Sequence, residues 1–147
     1  MRFSMTPDDF LKGQLAQVGW HPSTIVAFEE KMSQGNQDPN KGKITEPSQY
    51  TEMQFKINGG PSKGVVIYQN FSEKAPGFIV PLLEALGAKI DKTKAQAFDV
   101  SKDKFLGKNV DIHVARGTWN NKPKNEIDGY RAYTGEVKQQ PVAPAGV

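Results

Sequence analysis

Cysteine is absent from this chain, which removes thiolate nucleophiles, Cys-based zinc sites and any disulfide scaffold, and fits a reducing compartment. Long apolar runs are missing as well. No stretch approaches the roughly 18 apolar residues of a membrane span, and the opening Met1-Arg2-Phe3-Ser4-Met5-Thr6-Pro7-Asp8-Asp9 lacks the apolar core of a signal peptide. A soluble cytoplasmic protein is expected. Histidine is scarce: His21 and His113 lie far apart, and neither has a His or Cys neighbour at ligand spacing, so no metal site is expected. Catalytic signatures are missing too. There is no GxSxG elbow and no Walker loop; Asn58-Gly59-Gly60-Pro61-Ser62-Lys63 comes nearest, but its spacing fails and Pro61 lacks the N–H that a phosphate cradle would use. The chain therefore reads as a non-enzyme with no catalytic residues and no cofactor. A strong charge of either sign is also lacking. With 19 Lys+Arg against 16 Asp+Glu the net charge is +3, too small to identify a partner, so local clusters must do so.

What is present fits one domain, residues 1–134, with a flexible or docked tail at 135–147. Thr6-Pro7-Asp8-Asp9 has the cap, the first-turn proline and the acids of a helix start, giving a short helix at about 6–13. Gly19 to Glu30 is rich in β-branched and aromatic residues and reads as a first strand. A long mobile loop follows through Ser33 to Lys43. The second strand, about Gln49 to Ile57, turns Met53, Phe55 and Ile57 inward against Glu52, Gln54 and Lys56. A turn at Asn58–Lys63 leads to a third strand, Gly64 to Phe71. Between Pro76 and Leu86 the period changes to that of a helix, with Phe78, Ile79, Leu82, Leu83 and Leu86 on one face and Gly87 as the stop. Pro81 either kinks this helix or marks its first turn, and the apolar stripe reads as a plug packed on the sheet. Phe98 and Val100 suggest a short edge strand, and Ser101–Phe105 a helical turn.

The chemistry concentrates in the last hairpin. Two strands, Val110 to Thr118 and Asn125 to Tyr133, flank a loop Trp119-Asn120-Asn121-Lys122-Pro123-Lys124 with no acid from Arg116 to Asn125. Val110, Ile112 and Val114 alternate with Asp111, His113 and Ala115, the pattern of a sheet with one buried face. Asp111 and His113 share the other face, where Asp128 and Glu126 give cross-strand charge pairing. Cations beside a flat exposed ring suit a single nucleic-acid strand, because phosphates attract the cations and any base can stack on the ring. Phosphates would be met by Lys41, Lys43, Arg116, Lys122, Lys124 and Arg131, and bases by Trp119 with Tyr130, Tyr133 or Trp20. For Trp20, burial at the rim of the sheet is the expected state.

Three strands, a helix, then two strands is the element order of an OB-fold, a five-stranded Greek-key barrel whose ligand face is flanked by the loops between strands 1–2 and 4–5. The expected fold is thus mainly β: an OB-like barrel with one helix between strands 3 and 4 and a short N-terminal helix. Gly19-Trp20-His21-Pro22, the Gly/Asn/Lys loop, Phe55-Lys56-Ile57-Asn58-Gly59-Gly60, Leu82-Leu83-Glu84-Ala85-Leu86-Gly87, Leu106-Gly107-Lys108 and Asn125-Glu126-Ile127 occur in an order that resembles a bacteriophage family. Its members were long catalogued as a domain of unknown function and are regarded as single-stranded-DNA-binding proteins. The resemblance covers about residues 14 to 134. It implies non-catalytic coating of single-stranded DNA in replication or recombination, in the host bacterial cytoplasm, with phage or host replication and recombination proteins and further copies of the chain as candidate partners. The tail departs from the acidic tails of many such proteins, holding only Glu136 against Lys138. The alternative is a phage protein–protein interaction module or virion component built on a small β-barrel.

Overall fold

The computed structural model describes residues 1–4, 14–135 and 138–139; the expected helix at 6–13 and most of the tail lie outside them. The architecture is mainly β. Strands β1 (Gly19–Ser33), β2 (Ser48–Ile57), β3 (Val66–Ser72), β4 (Asn109–Trp119) and β5 (Lys122–Ala132) form one antiparallel path in the order β3-β2-β1-β4-β5. The long central β1 serves two neighbours: its first half pairs with β4, from Gly19↔Val114 to Thr24↔Asn109, and most of its length with β2, from Ser23↔Ile57 to Ser33↔Ser48. A two-residue strand, β6 (Lys138–Gln139), pairs with Gly19 and Trp20, where β2 no longer reaches.

Two bulges keep apolar residues inward along these strands. Between Ile25 and Ala27 the register slips by one residue, so Val26 faces out and the inward phase passes from Ile25 to Phe28. A second slip at His113/Val114 leaves Asp128 as the extra residue of β5, and the pairs Ile112↔Tyr130 and Val114↔Ile127 both stay on the core side. The core gathers Ile25, Phe28, Met53, Phe55, Ile57, Ile67, Phe71, Val110, Ile112 and Val114 from the sheet. It is plugged by a 3₁₀ turn (Pro76–Ile79) running into α1 (Val80–Ala85), which buries Leu82 and Leu83. Pro81 sits in the first turn of α1, where a missing N–H costs nothing, so the helix starts there instead of kinking. The turn α2 (Lys102–Phe105) drives Phe105 against Phe28, ring centroids 5.9 Å apart.

Four expectations change. The sheet is not a closed barrel: among the described residues no ladder joins β3 to β5, and that seam is filled by side chains, Tyr130 lying 5.7 Å from Phe55 and 6.4 Å from Phe71 between ring centroids. Phe98 and Val100 form no strand; both line a cavity with Phe71 and Ser72 of the edge strand β3. The loop after β1 is tied down, with Asn36 and Thr45 exchanging backbone bonds, Asn36 Nδ2 donating to the Lys43 carbonyl and Asp38 capping a 3₁₀ turn (Pro39–Lys41). Gly35 makes this possible: its φ is +70°, and a Cβ there would collide with the Thr45 carbonyl. Finally, the expected loop at 119–124 is mostly strand, for β4 and β5 stay paired to Trp119↔Lys122.

Candidate nucleic-acid interface

The last hairpin reaches beyond the sheet because β1 begins at Gly19, opposite Val114, while β4 continues for five more residues. Ala115–Trp119 and Lys122–Glu126 thus form a two-stranded arm. Its tip is a two-residue turn, Asn120 and Asn121, with φ of +50° and +62°. Left-handed φ at both positions is the signature of the hairpin turn that matches strand twist, and Asn is among the few residues that accept it. Pro123 sits opposite Thr118 on the outer strand, where no neighbour asks for its N–H.

Direct pairing places Trp119 with Lys122, Gly117 with Lys124 and Ala115 with Glu126 on one face of the arm. Trp119, which the sequence placed in a wet loop, is 68% exposed. Lys124 reaches Glu126 at 3.6 Å, with both side chains about half exposed. Gly117 supplies the space: a Cβ there would run into the Glu126 side chain.

Arg116 stands on the opposite face. Its guanidinium donates to the Ala16 carbonyl at 2.6 Å and to Asn125 Oδ1 at 2.9 Å, while the Asn125 amide donates to the Gln14 carbonyl. Arg116 and Asn125 therefore strap residues 14–16 across the base of the arm, and Arg116 does not join Lys122 and Lys124 in one cationic cluster.

Toward the sheet the Trp119 face continues into a paired polar cluster. The bulged Asp128 meets His113 Nδ1 at 2.5 Å, and Trp20 packs edge-on to His113 at 5.1 Å. Gly129 leaves room for that indole. Arg131 lies flat over Trp20, 4.3 Å from the ring centroid, and donates from Nε to Asp111 Oδ2 at 2.9 Å. Asp111, expected on an open face, is completely buried, with Thr134 donating its hydroxyl to the same carboxylate. Arg131, expected to meet phosphate, is here held by Asp111 and Trp20, with Nη2 buried and unpartnered. Tyr130 is corrected likewise: it packs on the core, its hydroxyl has no partner, and burial pushes its pKa up, so its ring offers no stacking face. Tyr133 is 44% exposed beyond the end of β5.

Lys41 and Lys43 are exposed, but their loop leaves the Ser33 end of β1, whereas the arm extends past its Gly19 end. The two basic elements flank the sheet from opposite ends and do not form one cluster, contrary to the sequence expectation that both lysine-bearing loops present themselves together to one strand.

Sequence reasoning missed a surface between them. The outward row of β1–β2–β3 carries Thr24, Lys56 and Val66, then Ala27, Gln54 and Tyr68, with Tyr68 51% exposed and Val26 standing out at the bulge. Beside this row Lys56 and Lys63 border a shallow depression of about 550 Å³ that includes Thr24, Val26 and Asn58. Further along, Glu29 and Glu52 hold Lys31 at 3.5 and 3.3 Å, and the Glu52 hydrogen bond raises the Lys31 pKa. Tyr68 was legible: once Ile67 is read as inward, period two turns Tyr68 out.

Among the described residues no three of His, Cys, Asp and Glu converge as a metal site, and no helix is long and apolar enough to cross a membrane. Comparison with protein-family models and with curated proteins finds no match.

Proposed function

We propose that this chain binds single-stranded DNA without catalysis and with little sequence preference, as a phage-encoded coating protein acting in replication or recombination in the bacterial cytoplasm. The observation that carries the reading is the arm, which holds an indole in water beside Lys122 and two residue pairs from Lys124 on the same face. An exposed tryptophan is unfavourable to maintain in water, and a base stacked on it recovers contact worth roughly 1–3 kcal/mol.

The strand order supports the same reading. β3-β2-β1-β4-β5, with a helix between β3 and β4, is compatible with an OB-fold, itself a partly open five-stranded barrel that takes oligonucleotides across strands 2 and 3. In this proposal the polynucleotide crosses the outer face at Lys56 and Tyr68, with Lys41 and Lys43 at one side and Trp119, Lys122 and Lys124 at the other. Separation of the two basic elements then sets the length of strand engaged. Lys41, Lys43, Lys56, Lys63, Lys122 and Lys124 meet phosphates; Trp119, Tyr68 and Tyr133 meet bases.

The test is a poly-dT titration followed by tryptophan fluorescence. Trp119→Ala is expected to weaken binding by roughly 1–3 kcal/mol, while Trp20→Phe keeps the quenching. Unchanged affinity in Trp119→Ala would remove the arm from the interface. Failure of the unaltered chain to bind oligonucleotides would favour the protein-only interaction module.

A further inference from the structure

The depression beside Lys56 and Lys63 holds an amide whose orientation the sheet fixes. Asn58 directly follows β2 and is pinned twice to β1: its backbone N–H donates to the Pro22 carbonyl at 2.9 Å, and its Nδ2 donates to Thr24 Oγ1 at 3.0 Å. The Thr24 hydroxyl in turn donates to Asn109 Oδ1 at 2.7 Å. A hydroxyl has one proton, and this one goes to Asn109, so the bond from Asn58 must bring an N–H. The relay sets which way the Asn58 amide lies and leaves Oδ1 as its open end, with no donor to it among the described residues.

Lys56 and Lys63 line the same depression as Asn58, and no acid is among its lining residues. Lys56 is set by its pairing with Thr24 across β1 and β2. Lys63 is set by a tight turn: its N–H donates to the Gly60 carbonyl at 3.1 Å, and the neighbouring Ser62 is buried and accepts from the Gln17 amide. Apolar surface comes from Val26, which the bulge in β1 turns outward and leaves 42% exposed. The depression thus offers one fixed acceptor, two ammonium donors and an aliphatic wall, in a space of about 550 Å³ that has room for a base.

The unpaired base that matches this set has an edge that reads acceptor, donor, acceptor. That is the imide edge of thymine and uracil, an N3–H between two carbonyl oxygens. Adenine and cytosine carry a ring acceptor at the central position, which the Asn58 oxygen would repel, and guanine has an amino group where the second carbonyl would be. The C5-methyl of thymine, which uracil lacks, finds the Val26 side chain to pack on. Each ammonium has three N–H groups, enough to meet a base carbonyl and a flanking phosphate together. We infer that the depression is a subsite for one unpaired thymine of the bound strand, its N3–H donating to Asn58 Oδ1 and its carbonyls accepting from Lys56 and Lys63. This rests on the single-strand reading and adds to it: the strand as a whole is held with little regard to sequence, and one base of it is read. A thymine in duplex has that edge committed to adenine, so the subsite takes only unpaired strand.

The test uses the full chain and three strands: oligothymidylate, the same oligomer methylated at every N3, and oligodeoxyuridylate. N3-methylation removes the proton offered to Asn58 and keeps the ring for stacking. Oligothymidylate is expected to bind about five- to tenfold tighter than its methylated form, with oligodeoxyuridylate between them. That ratio should fall to near one in Asn58→Leu and in Thr24→Val, where the amide is no longer held, and return in Thr24→Ser, which keeps the hydroxyl. Thr24→Val preserves size and strand preference, so the test stands if Asn58→Leu fails to fold. Equal binding of the thymine strand and its methylated form overturns the subsite and leaves coating through the arm intact, as does a ratio that Asn58→Leu and Thr24→Val leave unchanged. Oligodeoxyuridylate binding tighter than oligothymidylate overturns the assignment to thymine. Failure of all three strands to bind removes the single-strand reading itself, and the subsite with it.

Discussion

Asp111 shows how a single side chain can be fixed by partners remote in sequence. It lies on the outer side of β4 with no exposure, its carboxylate met by Arg131 Nε at 2.9 Å and the Thr134 hydroxyl at 2.7 Å, while Trp20 covers the guanidinium. Removing one partner of such a pair strands the other. Asp111→Ala is therefore expected to lose about 3–5 kcal/mol of stability in urea unfolding, whereas Trp119→Ala, at a fully wet site, leaves the urea midpoint nearly unchanged. His21 makes a second prediction. Its ring is buried, Nε2 bonds the Gln17 carbonyl at 2.6 Å, and burial lowers its pKa from 6.5, with the Gln17 bond opposing and the charge of nearby His113 assisting. The unfolded chain then takes up a proton that the folded one resists, so stability is complete above pH 6.5 and falls as pH drops below it. Thermal melts between pH 7.5 and 5.5 should show that slope, and His21→Gln should flatten it. Neither environment could be read from sequence, because alternation tells which face a residue occupies and not what comes to cover it.

At the scale of elements, local chemistry was the better guide. The second strand, the proline-started helix and the turn before β4 follow from period, caps and glycines alone. The hairpin was found too, but its tip was read as six loose residues because Pro123 and two lysines resemble a loop. Pairing of Trp119 with Lys122 shows that Asn-Asn suffices to turn the chain when both residues accept left-handed φ. Asn121→Gly is accordingly expected to keep or tighten the arm, while Asn121→Val costs about 1–2 kcal/mol locally. Amide exchange of Arg116–Lys124 measures this without reference to any ligand. The slip in β1 was also visible in principle: Ser23, Ile25 and then Phe28 break the alternation by one residue, which marks Val26 as a bulge.

For the whole molecule, the order of elements was legible and the closure was not. Whether β3 meets β5 depends on how far each strand extends and on the bulk of the plug, and Tyr130 occupies the space a ladder would need. The candidate site was partly legible: Trp119, Lys122 and Lys124, which the sequence put together in one loop, lie on one face of a paired arm, Arg116, Tyr130 and Arg131 make contacts within the protein, and Lys56 and Tyr68 emerge only from the sheet register. If the proposed reading holds, affinity for poly-dT falls with salt at a slope near −0.7 per phosphate neutralised. Replacing Lys122 and Lys124 together by glutamine should make that slope shallower by about 1.4, while Arg116→Gln leaves the slope unchanged and loosens the arm.

Because, among the described residues, the arm contributes nothing to the buried cluster and is fastened at its root, where Arg116 and Asn125 grip residues 14–16, its outer residues can be exchanged without endangering the body that carries them. Single substitutions can therefore alter the tip while the remainder of the protein stays under quite different constraints, and an engineer could graft a different tip onto the same root.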